Sequence, residues 1–150
     1  MADSRVPDQL RREVWHRAGG CCEYCRSQAR FAMQPFSVDH ITPRSREGIS
    51  SLDNLALACQ GCNNHKYFRT EGTDPVTGSV TPLFHPRRHY WHDHFAWSND
   101  ATQIVGLSPT GRVTVAVLRL NREGLVNLRR ILVAAGEHPP VEWLDAPEGR

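Results

Sequence analysis

Leu10, Val14 and Ala18 recur at i, i+4 and i+8, which predicts a helix with one apolar face. Val6-Pro7-Asp8 puts a proline in its first turn, and Gly19-Gly20 ends it. The period then shortens to two. Residues 36–41, Phe-Ser-Val-Asp-His-Ile, alternate as a strand with Phe36, Val38 and His40 on one face, and Thr42-Pro43 stops the run. The apolar tetrapeptide Leu55-Ala56-Leu57-Ala58 predicts the return strand. From Cys62 to about Arg69 the chain reads as a short helix, with Asn63, Lys66 and Tyr67 on one face at i, i+3 and i+4.

Further along, residues 72–78 show no periodicity and read as a loop, and residues 83–97 are rich in aromatics and histidine. Residues 102–108 predict a strand, and Pro109-Thr110-Gly111 predicts a turn. The segment from Val113 to Leu120 fits both periods, because Val113, Val115 and Val117 alternate while Val113, Val117 and Leu120 share a helix face. Asn121 is the expected N-cap of a helix carrying Leu125, Leu128 and Leu132, which Gly136 and Pro139-Pro140 terminate. There is no internal repeat. At 150 residues the chain is expected to form a single domain over 1–150, of a size that buries roughly 70% of its unfolded surface.

Composition adds a compartment and a metal. No apolar run approaches the roughly 18 residues of a membrane span, and Met1-Ala2-Asp3-Ser4-Arg5 opens no signal peptide, so no membrane partner and a cytoplasmic location are expected. In that reducing setting thiols favour metal over disulfide. Four of the five cysteines form two Cys-x-x-Cys pairs, Cys22/Cys25 and Cys59/Cys62, the ligand set of a closed tetrahedral structural Zn²⁺ site. Cys21 is left over as an expected free thiol. The net charge is only +2, yet 17 of the 18 basic residues are arginine, and residues 1–70 carry +3 against −1 for 71–150. A planar guanidinium suits phosphate oxygens, so a basic excess around the cysteines is compatible with DNA. A coding bias toward arginine accounts for it equally well.

Between and just after the cysteine pairs lie the residues with reactive chemistry. Hydrolysis of a phosphodiester needs a base for water and a cation for the phosphate charge. His40 supplies the base; Asp39 and Asn63 supply hard oxygen donors of the kind Mg²⁺ or Mn²⁺ prefers. On a flat strand Asp39 and His40 would project to opposite sides, so the strand geometry has to loosen near His40 or Asp39 has to reach around through the loop.

The array Cys22-Glu-Tyr-Cys25, Phe36-Ser-Val-Asp39-His40-Ile-Thr-Pro-Arg-Ser45, Asp53-Asn54-Leu-Ala-Leu-Ala-Cys59-Gln-Gly-Cys62-Asn63-Asn-His-Lys66 resembles the zinc-containing HNH endonucleases. The resemblance implies an α+β fold: a small ββα-metal (HNH) core at 17–70 stapled by a four-cysteine zinc site, an N-terminal helix, and a mixed α/β C-terminal extension at 80–150. Phe95-Ala-Trp97, Gly106 to Arg112 and Leu118 to Arg122 resemble the extension of a group of bacterial HNH proteins. Position by position, the resemblance implies that His40 is the general base and that Asp39 and Asn63 ligate the catalytic divalent ion. Asn54 would tie the loop carrying the base to the rest of the fold, and the base would sit at the end of the first strand where the chain bends. The family often has Gly-Gly where this chain has Glu47-Gly48, and often Gly after the lysine, where this chain has Tyr67.

The expected activity is therefore divalent-metal-dependent hydrolysis of DNA phosphodiester bonds, by nicking or cleavage, with Arg44, Arg46, Lys66 and Arg69 contacting phosphate. Such cleavage would rise with pH near the ordinary histidine pKa of about 6.5. The rival reading is a catalytically silent, zinc-stabilised DNA- or protein-binding module on the same scaffold. For the cluster His85, His89, His92 and His94, packing and exposure are favoured over a second metal site. Trp91, Phe95 and Trp97 are expected to be core. Oligomeric state is not encoded in any pattern here.

Overall fold

Val14 and Ala18, both buried, seat helix α1 (Asp8–Ala18) on the hairpin of β1 (Ser37–His40) and β2 (Leu55–Ala58), where they pack with Val38, Leu55 and Leu57. The computed structural model describes residues 6–140; Met1–Arg5, on which the leader-peptide expectation rests, lie outside the described residues. As expected, Gly19 closes α1 in the left-handed conformation, donating to the His16 carbonyl.

Strands β1 and β2 pair antiparallel, with Asp39 opposite Ala56 and His40 opposite Leu55. All four β2 residues are buried, which is why the run is continuously apolar rather than alternating. Helix α2 (Gln60–Lys66) follows at once and completes a ββα unit. It starts earlier and ends earlier than the sequence predicts. Cys59 caps it, its Sγ accepting the Cys62 N–H at 3.4 Å, and Tyr67 leaves helical geometry with φ 51° and ψ −120°.

Three expectations downstream are corrected. Of the stretch read as a loop at 72–78, Gly72 and Thr73 belong to β3 (Glu71–Thr73), which pairs with β4 (Val80–Pro82), and the remainder lies in the turn between them. The Asp74 carboxylate organises that turn, accepting from Val76 N at 3.1 Å and Thr77 Oγ1 at 2.9 Å. Pro109-Thr110-Gly111 is no turn but the start of α4 (Pro109–Leu118), because Ser108 Oγ accepts the Gly111 N–H at 2.9 Å and proline suits the first helical position. That also resolves the ambiguous segment from Val113 as helix. Asn121 does not cap α5 (Glu123–Ala134); Arg122 occupies the cap position. Asn121 instead pins the Ile104 N–H and carbonyl at 2.7 and 2.8 Å. Its two-sided amide serves the hairpin of β5 (Phe95–Trp97) and β6 (Ile104–Gly106), which follows the short α3 (Trp91–His94).

The larger core joins the two cysteine knuckles and β2 to the C-terminal elements, through Trp91, Phe95, Ile104, Val113, Leu118 and Leu125. Trp91 and Phe95 are buried as expected, and Trp97 is half-buried. Trp91 Nε1 donates to the Tyr24 carbonyl at 2.9 Å, a contact between the first knuckle and α3. The fold is thus α+β, built from short antiparallel strand pairs and helices around a cysteine cluster. Among the described residues no helix is long and apolar enough to cross a membrane.

Candidate functional site

The ligand atoms of Cys22, Cys25, Cys59 and Cys62 lie within 4.8 Å of one another, and all four residues are buried. Each knuckle is built the same way: Cys25 N–H points at Cys22 Sγ and Cys62 N–H at Cys59 Sγ, both at 3.4 Å. Cys25 Sγ and Cys59 Sγ are 3.6 Å apart. A tetrahedron with Zn–S of about 2.3 Å has edges of about 3.8 Å, so the spacing and the all-sulfur donor set fit a closed zinc site. Without an ion, four thiols this close share protons: burial pushes Cys22 well up, while the hydrogen bond from Cys22 holds Cys25 well down. A divalent ion replaces that sharing.

Arg122 lies over the cluster. Its guanidinium approaches Cys59 Sγ at 3.3 Å and Cys62 Sγ at 3.8 Å, and the thiolates it faces raise its already high pKa against the opposing effect of burial. Room for it exists because residue 61 is glycine; a Cβ there would stand 2.3 Å from Arg122 Nη2. Sequence reasoning missed Arg122. The segment Leu118 to Arg122 carried a resemblance but no chemical signal, since an arginine 60 residues from Cys62 reads as surface charge.

The ββα unit gathers the second set. Asp39, His40 and Asn63 line one groove of about 340 Å³, together with Arg44, Tyr67 and Phe68. His40 ends β1, half-buried, with Nε2 2.9 Å from Ser50 Oγ. The carboxylate of Asp39 is almost wholly buried and accepts from Tyr24 Oη at 2.7 Å. Burial first, and the charge of Asp39 next, push the Tyr24 phenol well above its ordinary value, so it stays a donor.

Asn54 makes three hydrogen bonds to the loop after His40. Its Oδ1 accepts from Thr42 N at 2.8 Å, and its Nδ2 donates to the carbonyls of Thr42 at 3.0 Å and Ile49 at 2.9 Å. Gly48 fits beneath this clasp, where a Cβ would fall 1.8 Å from the Thr42 carbonyl oxygen. Asn54 is not among the groove-lining residues, so its geometry is that of a positioning residue.

The four expected phosphate contacts part company. Arg44 is exposed and lines the groove, with Nη1 3.5 Å from Ser50 Oγ. Arg46 is exposed and reaches Thr70 Oγ1 at 3.3 Å, and Arg69 is exposed. Lys66, unlike the three arginines, is buried, only 2% exposed. Its ammonium lies 3.2 Å from Asp39 Oδ2 and donates to the carbonyls of His40 at 3.3 Å and Ile41 at 3.0 Å. Neither Tyr24 nor Lys66 stood out from the sequence as an Asp39 partner, because both pairings are made only when the first knuckle and α2 close on β1.

Among the described residues only the four cysteines form a group of three or more His, Cys, Asp or Glu side chains close enough to hold a metal. The histidine cluster packs instead: the His85 N–H donates to His89 Nδ1 at 2.9 Å, and His94 Nδ1 sits 2.6 Å from Ser108 Oγ. Cys21, the leftover thiol, is buried.

Residues 22–69 match the family model described as HNH endonuclease, and that segment, from the first knuckle through α2, is an HNH endonuclease domain. Searches of curated proteins and of solved structures found no match.

Proposed function

We propose that the protein is a divalent-metal-dependent endonuclease that hydrolyses phosphodiester bonds in DNA. The observation that carries this reading is the convergence of Asp39, His40 and Asn63 on one groove within the HNH domain. His40, at the end of β1 with Nε2 2.9 Å from Ser50 Oγ, would be the base that takes a proton from water. Asn54 holds the loop behind His40 so that the ring keeps its place. Asp39 and Asn63, a carboxylate and a carboxamide, are the residues that would hold Mg²⁺ or Mn²⁺, and such an ion supplies stabilisation of negative charge on phosphate oxygens. Arg44, at the groove, and Arg46 and Arg69, exposed, would contact the substrate backbone. Water attack with the 3′ oxygen as leaving group gives 5′-phosphate and 3′-hydroxyl ends. The cysteine cluster, sulfur-only and closed, would hold a structural zinc.

One observation favours a second reading, the catalytically silent binding module: Lys66 already neutralises Asp39 at 3.2 Å, a charge a divalent ion would have to share. Relaxation of supercoiled plasmid in Mg²⁺ or Mn²⁺ separates the two. The nuclease nicks it and His40→Ala does not; equal nicking by His40→Ala, or none by the wild-type protein, rejects the enzyme.

A further inference from the structure

Tyr67 and Phe68 close the groove on the side where α2 ends, and both are exposed, at 67% and 50%. Their rings lie against one another, with centroids 4.0 Å apart and planes tilted by 34°. Tyr67 holds that position at φ 51° and ψ −120°, backbone that glycine adopts freely and an aromatic residue adopts only under strain. Folding gains little from two rings left in water. A strained backbone adds to the cost of keeping the pair, and glycine at 67 would remove both. Strain retained at an exposed side chain in a candidate active site points to a ligand that uses the ring.

We propose that the Tyr67–Phe68 pair is a stacking platform for an unpaired base of single-stranded DNA, which rests on the nuclease reading of the same groove. The chemistry is complementary at both ends. Arg44 and the Asp39–His40–Asn63 set in that groove suit a phosphate and its reaction, and the aromatic pair in the same groove suits the base attached to a neighbouring phosphate. A base inside a duplex has both faces covered by its neighbours. Only a base already unpaired, in a single strand, bubble or loop, offers a face to the platform without a cost of unstacking. The substrate class follows: DNA with unpaired bases beside the cleaved bond is preferred over intact duplex.

The test is binding of the full-length, zinc-loaded protein with no other divalent ion added. The probes are a fluorescein-labelled single-stranded oligothymidine of about 15 nucleotides, the upper end of the site sizes such grooves cover, and a blunt duplex of the same length, read by anisotropy. The single strand binds more tightly than the duplex. Tyr67→Gly weakens single-strand binding about tenfold or more and duplex binding less than about twofold, while Tyr67→Phe, which keeps the ring, stays near wild type. A 2-aminopurine placed in the oligonucleotide is quenched by the wild-type protein and not by Tyr67→Gly. The thermal midpoint of Tyr67→Gly, expected at or above wild type, shows that the variant is folded. Unchanged single-strand binding by Tyr67→Gly, an equal loss on both probes, or no binding of the single strand by the wild-type protein each overturns the platform. The nuclease reading falls on a different result, a wild-type protein that nicks no plasmid in Mg²⁺ or Mn²⁺, so the two failures are distinguishable.

Discussion

Lys66 Nζ stands 3.2 Å from Asp39 Oδ2, with the two residues 2% and 5% exposed. An ion pair so buried is held by its surroundings: Tyr24 donates to the same carboxylate, and two backbone carbonyls accept from the ammonium. Removing one partner leaves the other charge buried without its counter-ion, at a cost of about 3–5 kcal/mol. Lys66→Ala is therefore expected to lower unfolding free energy in urea by that amount. A lysine that only touched substrate phosphate would change DNA affinity and its salt dependence while leaving stability within about 0.5 kcal/mol.

Arg122 and Gly61 make a second prediction, on the cysteine cluster. A guanidinium 3.3 Å from Cys59 Sγ would offset the negative charge of four thiolates if they gather around a dication. Arg122→Ala should lower zinc affinity about 10- to 100-fold, measured by competition with a chromophoric chelator. Gly61→Ala is expected to act in the same direction, because its Cβ would take the space at 2.3 Å from Arg122 Nη2. Arg130→Ala, an exposed arginine on α5 bonded to Asn127, is the control and should leave zinc affinity unchanged.

Much of this arrangement was legible in the sequence, and the reason differs by element. The cysteine spacing and the strand at Leu55–Ala58 are local signals, and each knuckle closes on its own backbone. The resemblance also pointed to Glu47 and Tyr67 as departures from glycine, and both have positive φ, 68° and 51°. What could not be read depends on contacts made across the fold. Pro109-Thr110-Gly111 has turn composition, and only the Ser108 cap makes it a helix start. Glu23, unremarkable in sequence, accepts from Leu57 N at 2.8 Å and pairs with Arg87, joining the first knuckle to β2 and to the segment before α3. Lys66 looked like a surface cation for the same reason: no local pattern announces burial against a strand 26 residues away.

The loop that follows His40 carries a pair of substitutions with opposite signs. Glu47 is exposed and sits in the left-handed region at φ 68°, where a side chain costs about 1 kcal/mol or more that glycine avoids. Glu47→Gly should raise the melting temperature by about 2–4 °C, the shift expected for about 1 kcal/mol in a chain of this size. The neighbouring Gly48→Ala should do the reverse, since its Cβ would meet the Thr42 carbonyl oxygen at 1.8 Å and Asn54 Nδ2 at 2.9 Å. Thermal melts of the two variants side by side check both signs, and Gly48→Ala should also depress plasmid nicking by loosening the clasp on the His40 loop.

Stability should fall in two steps on the acid side, each with its own group. Burial pushes His85 down to about 4, with the cations Arg88 and Arg87 and the neighbouring His89 acting in the same direction. His89 and His94 are also lowered, chiefly by burial. A histidine that resists protonation in the folded state binds its proton more readily when unfolded, so this contribution is complete above about pH 6.5 and is lost as pH falls toward 4. Asp74 comes next. Arg112 donates to both its oxygens, at 3.0 and 2.8 Å, and holds the carboxyl well below the usual range. A depressed carboxyl stabilises the fold above its unfolded value of about 4 and loses that contribution as pH drops further. Urea titrations at several pH values between about 7.5 and 3 should show His85→Gln flattening the upper step relative to wild type while leaving the lower one. Asp74→Asn should show lower stability at neutral pH and a smaller loss below about pH 4. Any proton-driven loss of metal from the cysteine cluster would act on all three proteins alike, so the differences between them isolate the two groups.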